Sequence, residues 1–527
     1  MRYTARAGRG MVVSPHHLAS QAGLDVLKDG GDAVEAAVAV AACLAVVYPH
    51  MTGIGGDSFW LVAEPDGRTW ATEGCGRSAA HAELPLYEGL EAIPWRGPLA
   101  ANTVAGAVSG WAAALETGGG RLPLTRLLRD AIHYAENGAF VTRNWQVAAE
   151  MVKLGEQPGA YADIFEPQGR PPREGERFVQ HALASTLRRL AEDGLDSFYR
   201  GQLAEMIAAD LLALGSPLAL EDLNGHAAAR PTPLSVALDG VRLFNTAPPT
   251  QGLASLLILA LFDRLSVDGQ SGESEFAHIH GLVEATKQAF LIRDEHVGDP
   301  AWMTLDPQAL LDDGAKLDAL AGRIDPRRAL PWPHRPAAGD TTWFAAVDGN
   351  GRAASVIQSI YFEFGSGVVL PQTGILWQNR GASFRLAEDG WNALKPRRKP
   401  FHTLNPAMAR FDDGRVMAYG TMGGEGQPQT QAAVFTRYAR YSMPLQKAVT
   451  APRWLLGRAW GDQSTTLKLE DQFDPALYAA LREAGHEVEL VPPFDTMMGH
   501  AGAIVRHADG VLEGAIDPRS DGGVAAW

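Results

Sequence analysis

The sequence predicts a layered α/β protein in which antiparallel sheets are covered by helices. Helical and strand patterns are mixed along the whole chain. Strand runs joined by tight turns favour antiparallel pairing. One stretch near the N-terminus is small and apolar on every side of a helix, so it belongs beneath other layers.

Helical patterning is expected from the start. "SPHHLASQAGLDVLKDGGDAVEAAVAVAACLAVV" reads as two helices. Leu18, Ala22, Leu24, Val26 and Leu27 give the first an apolar face, and Gly30-Gly31 stop it. The second runs from Ala33 to Val47. "SFWLVAEPDGRTWATEG" reads as a hairpin turning at Asp66-Gly67. From about Gly106 to Gln270 the pattern is mostly helical, interrupted by the hairpin "PLSVALDGVRLFNTAPP". "SEFAHIHGLVEATKQAFLIRDEHVGDP" is one long helix ending near Gly298-Asp299-Pro300. The Pro/Arg-rich stretch "RIDPRRALPWPHRPAAGD", about 323–340, reads as an exposed, mobile linker. Strands are expected at "TTWFAAVD", "AASVIQSIYF", "TGILWQN", "TLNPAMARFD" and "RVMAYGTMGG", then a helix and strand in "DPALYAALREAGHEVELV".

Composition bounds the function. The chain has 527 residues, 46% apolar and 20% charged, which allows a sizeable core. A formal net charge of −15 argues against nucleic-acid backbones and anionic lipid as partners. The only cysteines, Cys43 and Cys75, form no disulfide framework and fit a reducing compartment. No apolar segment has signal-peptide or bilayer-spanning character, so a soluble cytoplasmic protein is expected.

Two stretches can carry chemistry. In "GDTTWF" a threonine opens a strand directly after the linker. Threonine is a good strand former, so an ordinary strand start is one reading. The other is N-terminal nucleophile chemistry. The Thr341 hydroxyl would attack the Asp340 carbonyl, an N-to-O shift would follow, and water would cleave the ester. The freed α-amine, with a reference pKa of roughly 7.7–8, could then serve as base for its own hydroxyl. Thr342 would point to the other face of the strand. In "GTMGGEGQPQTQ", Gly423-Gly424 lies between a strand and a helix. Exposed N–H groups there suit an oxyanion hole, and a plain glycine turn is the alternative. "YPHMTGIGGDSFW" does not have the dinucleotide-binding pattern. His16-His17 and His278/His280 lack the spacing of a metal site, so no metal or cofactor is expected.

Together these pieces resemble the γ-glutamyltranspeptidase family. The similarity runs through "LASQAGLDVLKDGGDAVEAAVA", "VVYPHMTGIGGDSFWLV", "NTAPPTQGLASLLIL", "EATKQAFLIRDEHVGDP", the segment from "GDTTWF" to "TGILWQN", "GTMGGEGQPQTQ" and "AIDPRSDGG". The resemblance implies a four-layer αββα sandwich of the N-terminal nucleophile hydrolases, made as a proenzyme. It implies cleavage between Asp340 and Thr341 into a large subunit, 1–340, and a small subunit, 341–527, that stay together; a dimer of such heterodimers is compatible with it. Thr341 falls on the family nucleophile, Ser359 on a hydroxyl residue that holds it, and Gly423 and Gly424 on the oxyanion hole.

The substrate positions depart from the family pattern. The arginine that grips a glutamyl α-carboxylate falls near Cys75, with Arg77 two residues on. The family asparagine becomes Tyr361, and the residues that hold the α-ammonium become Arg380 and Ser383. The paired serines become His402 and Thr403, and a histidine beside the nucleophile becomes Trp343. An ammonium needs an anion, and Arg380 supplies the opposite charge. A carboxylate suits Arg380 or Arg77 instead. Within the family this pocket resembles the oxamate amidohydrolases, which release ammonia from oxamate in purine-nitrogen use. A glutathione hydrolase or γ-glutamyltransferase, and an acylase for dicarboxylic amides such as cephalosporins, are the alternatives. The segment between Phe384 and Pro400 is shorter than the family lid loop, so a more open pocket is expected.

Overall fold

The computed structural model describes residues 3–265, 267, 272–332, 341–457 and 464–527. Thirteen strands build two sheets. In chain order they are β1 (Ala5–Ala7), β2 (Gly10–Ser14), β3 (Asp57–Ala63), β4 (Thr69–Gly74), β5 (Leu234–Leu238), β6 (Val241–Asn245), β7 (Thr342–Asp348), β8 (Ala353–Ser359), β9 (Ala407–Phe411), β10 (Val416–Thr421), β11 (Ala501–Arg506), β12 (Leu512–Ile516) and β13 (Gly523–Ala526). One sheet has the order β1-β12-β11-β10-β9-β6-β5 and the other β13-β2-β7-β8-β3-β4. Every neighbouring pair in both is antiparallel.

Side-chain alternation makes the layers. On β7, Trp343, Ala345 and Val347 face the other sheet, while Phe344 and Ala346 face helices. On β10, Val416 and Ala418 face inward, and Met417 and Tyr419 meet the opposite helical layer. Helices α1 (His17–Lys28), α2 (Ala33–Val47) and α3 (Ala107–Gly118) cover the six-stranded sheet. Helices α4 (Gly252–Arg264), α5 (Gly272–His296), α6 (Gly426–Ala439) and α7 (Leu445–Thr450) lie on the side of the seven-stranded sheet. The architecture is the four-layer αββα sandwich. All fifteen residues of α2 are buried, as its uniform composition predicts. Its start is fixed by a reciprocal cap: Asp32 accepts from Val34 and Glu35 N–H groups, and Glu35 accepts from Asp32 N–H.

Three expectations change. The chain opens with two strands rather than a helix, and β2 sits inside a sheet between β13 and β7. "TGILWQN" is not a strand. It folds back as a tight loop, with Leu370 N–H on Ile375 O at 2.9 Å and Trp377 N–H on Val368 O at 2.9 Å, and joins its neighbours only through isolated bridges. The linker is anchored as far as it is described. Ala329 N–H donates to Ala484 O at 2.7 Å, and Leu330 is held at both backbone groups. Asp340 and residues 333–339 lie outside the described residues.

The anchor is a buried ion pair on α5. Lys287 Nζ donates to Glu284 Oε1 at 2.7 Å and to Leu330 O at 2.6 Å, while Glu284 Oε2 accepts from Leu330 N–H at 3.0 Å. His280, one turn away from Glu284, is hydrogen-bonded to His486 at 2.9 Å and to Asp325 O at 2.8 Å. His280, Glu284 and His486 bring potential metal-ligand atoms within 4.8 Å of one another, a grouping that local spacing could not reveal. The lysine ammonium already supplies the positive charge there. Removing it leaves a buried carboxylate uncompensated, which costs about 3–5 kcal/mol. Lys287→Met is therefore expected to lower the unfolding free energy by that amount and the denaturant midpoint in proportion, and an unchanged midpoint would contradict the role of the pair. Among the described residues no helix is long and apolar enough to cross a membrane.

Candidate active site

Sheet register assembles the site. Ser359 at the end of β8 is paired with Asp57 at the start of β3. Thr342 is paired with Gln358, so one further step sets Thr341 opposite Ser359. Ser58 is paired with Gly74, so the same step sets Cys75 opposite Asp57. Thr341, Ser359, Asp57 and Cys75 thus form one row across four strands. Directly opposite residues share a face. The next row on the same face, Trp343, Ile357 and Phe59, lies in the inter-sheet core, so the row of Thr341 opens on that side. Gly56 makes the join possible: a Cβ there would collide with Ser359 O. The glycines of "GIGGD" therefore serve close backbone approach.

The two threonines separate as the alternation predicts. Thr342 turns to the helical face and its Oγ1 donates to Gln358 O at 2.7 Å. Thr341 is buried, and Gln427 Nε2 lies 3.4 Å from its Oγ1. Gln427 belongs to the first turn of α6, directly after Gly423 and Gly424. Both glycines have positive φ, 114° and 51°. They lie next to the N-terminus of α6, where free helix N–H groups favour an anion. The loop is fixed from below. Gln251 Nε2 donates to Gly424 O at 2.8 Å and to Thr403 O at 2.7 Å, and Arg293 joins Gln251 to Glu425. On its flank, Arg453 holds the Met498 and Gly499 carbonyls at 3.0 and 2.7 Å. Arg453 is itself paired with Asp517 of "AIDPRSDGG". Ser359 Oγ accepts from Tyr361 N–H at 2.8 Å.

Beside this row lies a buried cation. Arg380 is 1% exposed, and among the described residues none of its three guanidinium nitrogens has a hydrogen-bond partner. Its Cζ sits 3.8 Å over the Tyr361 ring, a cation–π contact. Tyr361 holds a φ of 83°, a strained conformation for a non-glycine residue. Ser383 Oγ, Thr403 Oγ1 and both His402 ring nitrogens are likewise buried without hydrogen-bond partners. Burial above all, then the charges of Arg380 and Lys399, hold the His402 pKa well below its ordinary value, so the ring is neutral. The expected open pocket is instead closed. Thr341, Arg380 and His402 are all buried, and Asn392 ties the segment after Phe384 together by donating to Ser383 O and accepting from Phe401 N–H.

Sequence left a choice between Arg77 and Arg380. Arg77 is half exposed, and its Nη1 is engaged by Asp299 at 3.4 Å and Arg397 O at 2.9 Å. It lines a surface cavity of about 260 Å³ with Ser78, Glu221 and Lys399. Asp57 was not singled out by sequence. Its Oδ1 accepts from Gly106 N–H at 3.0 Å, Gln378 Nε2 at 3.2 Å and Gly76 N–H at 3.3 Å. Its Oδ2 has no hydrogen-bond partner and lies 3.4 Å from His402 Nε2.

Residues 19–527 match the gamma-glutamyltranspeptidase family. The chain is 54% identical over 525 residues to the oxamate amidohydrolase proenzyme of Klebsiella pneumoniae subsp. pneumoniae, a match spanning 98% of each chain. It is 30% identical over 548 residues to the glutathione hydrolase proenzyme of Escherichia coli, spanning 98% of this chain and 92% of that one. Among solved structures, cephalosporin acylase from Bacillus halodurans superposes with a TM-score of 0.91 at 35% identity, covering 100% of this chain and 97% of the acylase. Matched along nearly its whole length by this family and sharing its αββα sandwich, the chain belongs to the gamma-glutamyltranspeptidase family.

Proposed function

We propose that the chain is an autoprocessed N-terminal-threonine amidohydrolase whose substrate is a small amide bearing a carboxylate, with oxamate as the best fit. The observation that carries this is Arg380: a fully buried guanidinium without a hydrogen-bond partner. An unpaired buried cation costs several kcal/mol, and a carboxylate offsets that cost through paired charge-assisted hydrogen bonds. A γ-glutamyl donor would bring an ammonium to the same cluster. The oxamate amidohydrolase of Klebsiella pneumoniae, at 54% identity, supports the choice of substrate.

Cleavage between Asp340 and Thr341 frees the threonine α-amine. Thr341 Oγ then attacks the amide carbon, and its proton passes to that amine. The Gly423 and Gly424 N–H groups hold the oxyanion. Collapse expels ammonia, protonated by the amine, and leaves an ester on Thr341. Water hydrolyses the ester and releases the acid. Ser359 orders the start of the row, while Tyr361, Ser383, His402 and Thr403 wall the pocket. The unpaired cysteines, both buried, suit a cytoplasmic setting.

Ammonia release from oxamate, set against γ-glutamyl-p-nitroanilide, tests the reading. We expect kcat/KM to favour oxamate by about a hundredfold or more, the equivalent of ~2.7 kcal/mol of charge selection. The reverse order would make the protein a glutathione hydrolase or γ-glutamyltransferase. Faster turnover of a glutaryl amide would make it a dicarboxylic-amide acylase.

A further inference from the structure

Asp57 is the titratable group in the pocket that this mechanism leaves unused. We infer that Asp57 is a substrate-binding residue that acts as a neutral acid, its Oδ2–H donating to the same carboxylate that Arg380 holds. The inference rests on the oxamate reading above.

The geometry is specific. Asp57 occupies the row of Thr341 and Ser359, next but one to the nucleophile. One oxygen is fully committed: Oδ1 takes three hydrogen bonds and cannot turn to a ligand. The other, Oδ2, is buried without a hydrogen-bond partner, as are the three nitrogens of Arg380. A carboxylate entering this cluster offers acceptors only, so it can satisfy Asp57 only if Asp57 carries a proton.

The surrounding charges agree. Burial, the largest influence, pushes the Asp57 carboxyl up to about 7 against the pull of Arg380, the Gly106 and Gly76 N–H groups and Gln378. Burial lowers the Arg380 pKa from its ordinary value, against the pull of Tyr361, Asp57 and Cys75, and a guanidinium stays charged under such a shift. His402, facing Oδ2 from the segment before β9, is neutral. Cys75, next in the row, has its thiol pKa raised well above the ordinary value and stays uncharged. Tyr199, also within electrostatic reach, has its hydroxyl pKa raised by burial. Lys399 is paired with Glu73. A second anion beside Asp57 raises its pKa further, so the substrate carboxylate and a proton bind together. Binding is then strongest below the Asp57 pKa of the free enzyme and is lost as pH rises through it.

The test is the pH profile of kcat/KM for oxamate with the processed enzyme. We expect a bell: activity rises as the Thr341 α-amine loses its proton and falls on the alkaline side as Asp57 ionises, with a limiting slope of tenfold per pH unit. Asp57→Asn keeps an acceptor at Oδ1 and a neutral donor at the other position, so the falling limb should vanish. A merely structural residue would lower activity at every pH and leave the limb in place. Pyruvamide, in which a methyl ketone replaces the carboxylate, supplies the second measurement and needs only the unmodified enzyme. It should show no falling limb, even if Asp57→Asn does not fold. A falling limb shared by both amides, or retained in Asp57→Asn, overturns the role of Asp57. Absence of oxamate turnover would instead reject the reading on which it rests.

Discussion

Thr341→Ala is expected to leave the chain as a single polypeptide with no measurable amidase activity. The two losses have one origin. In the proposed mechanism the hydroxyl that opens the Asp340–Thr341 peptide bond is the one that attacks substrate afterwards, and the α-amine that would serve as its base exists only after cleavage. Losing a nucleophile that works as a unit with its base lowers kcat by about 10⁴-fold or more. Gel electrophoresis reads the first loss and ammonia release the second. Thr341→Ser retains a hydroxyl in the row and should give two bands with reduced activity. Thr342→Ala is the control set by strand alternation. Its hydroxyl is committed to Gln358 O at 2.7 Å on the helical face, so its removal should cost about 1 kcal/mol of stability and leave cleavage intact. Cleavage in Thr341→Ala, or its loss in Thr342→Ala, would assign the nucleophile to the wrong residue.

What could be read from the sequence follows from how local each signal is. The limits of α2 were legible because its small apolar composition runs unbroken from Ala33 to Val47, just after the Gly30-Gly31 stop of α1. The β3–β4 hairpin was legible because its turn is local, and the two threonines could be told apart by strand period alone. Asp57 was not legible: nothing in "GIGGDSF" says that register will place it beside Ser359, 302 positions away. The N-terminal strands were missed because β1 is three residues long and is ordered by the distant β12. "TGILWQN" has strand residues, but Gly374 at φ 68° turns the chain within it. The linker reads as loose from its prolines and arginines, and only the fold reveals that Glu284 and Lys287 grip Leu330. Arg77 and Arg380 look alike as arginines, and burial separates them: one guanidinium has hydrogen-bond partners at the surface and the other lies inside against Tyr361, with none among the described residues.

Arg380→Ala should abolish the preference for carboxylate-bearing amides while sparing the proenzyme's cleavage. In the proposed mechanism autoprocessing needs Thr341 and the Gly423-Gly424 loop, neither of which takes a hydrogen bond from Arg380 among the described residues. Substrate binding needs the guanidinium. Truncating one partner of a buried hydrogen-bonded charge pair costs about 2–5 kcal/mol, so kcat/KM for oxamate should fall by roughly 30- to several-thousand-fold. The loss should appear mainly in KM, because the carboxylate is held alike before and during attack on the neighbouring carbonyl. Arg380→Lys separates charge from shape. It keeps the cation but not the planar fork, so it should recover only part of the loss. The reaction with a neutral amide such as pyruvamide should change far less in both variants. An unchanged KM for oxamate in Arg380→Ala would remove the carboxylate from this pocket, and with it the physical basis for preferring oxamate over a γ-glutamyl donor.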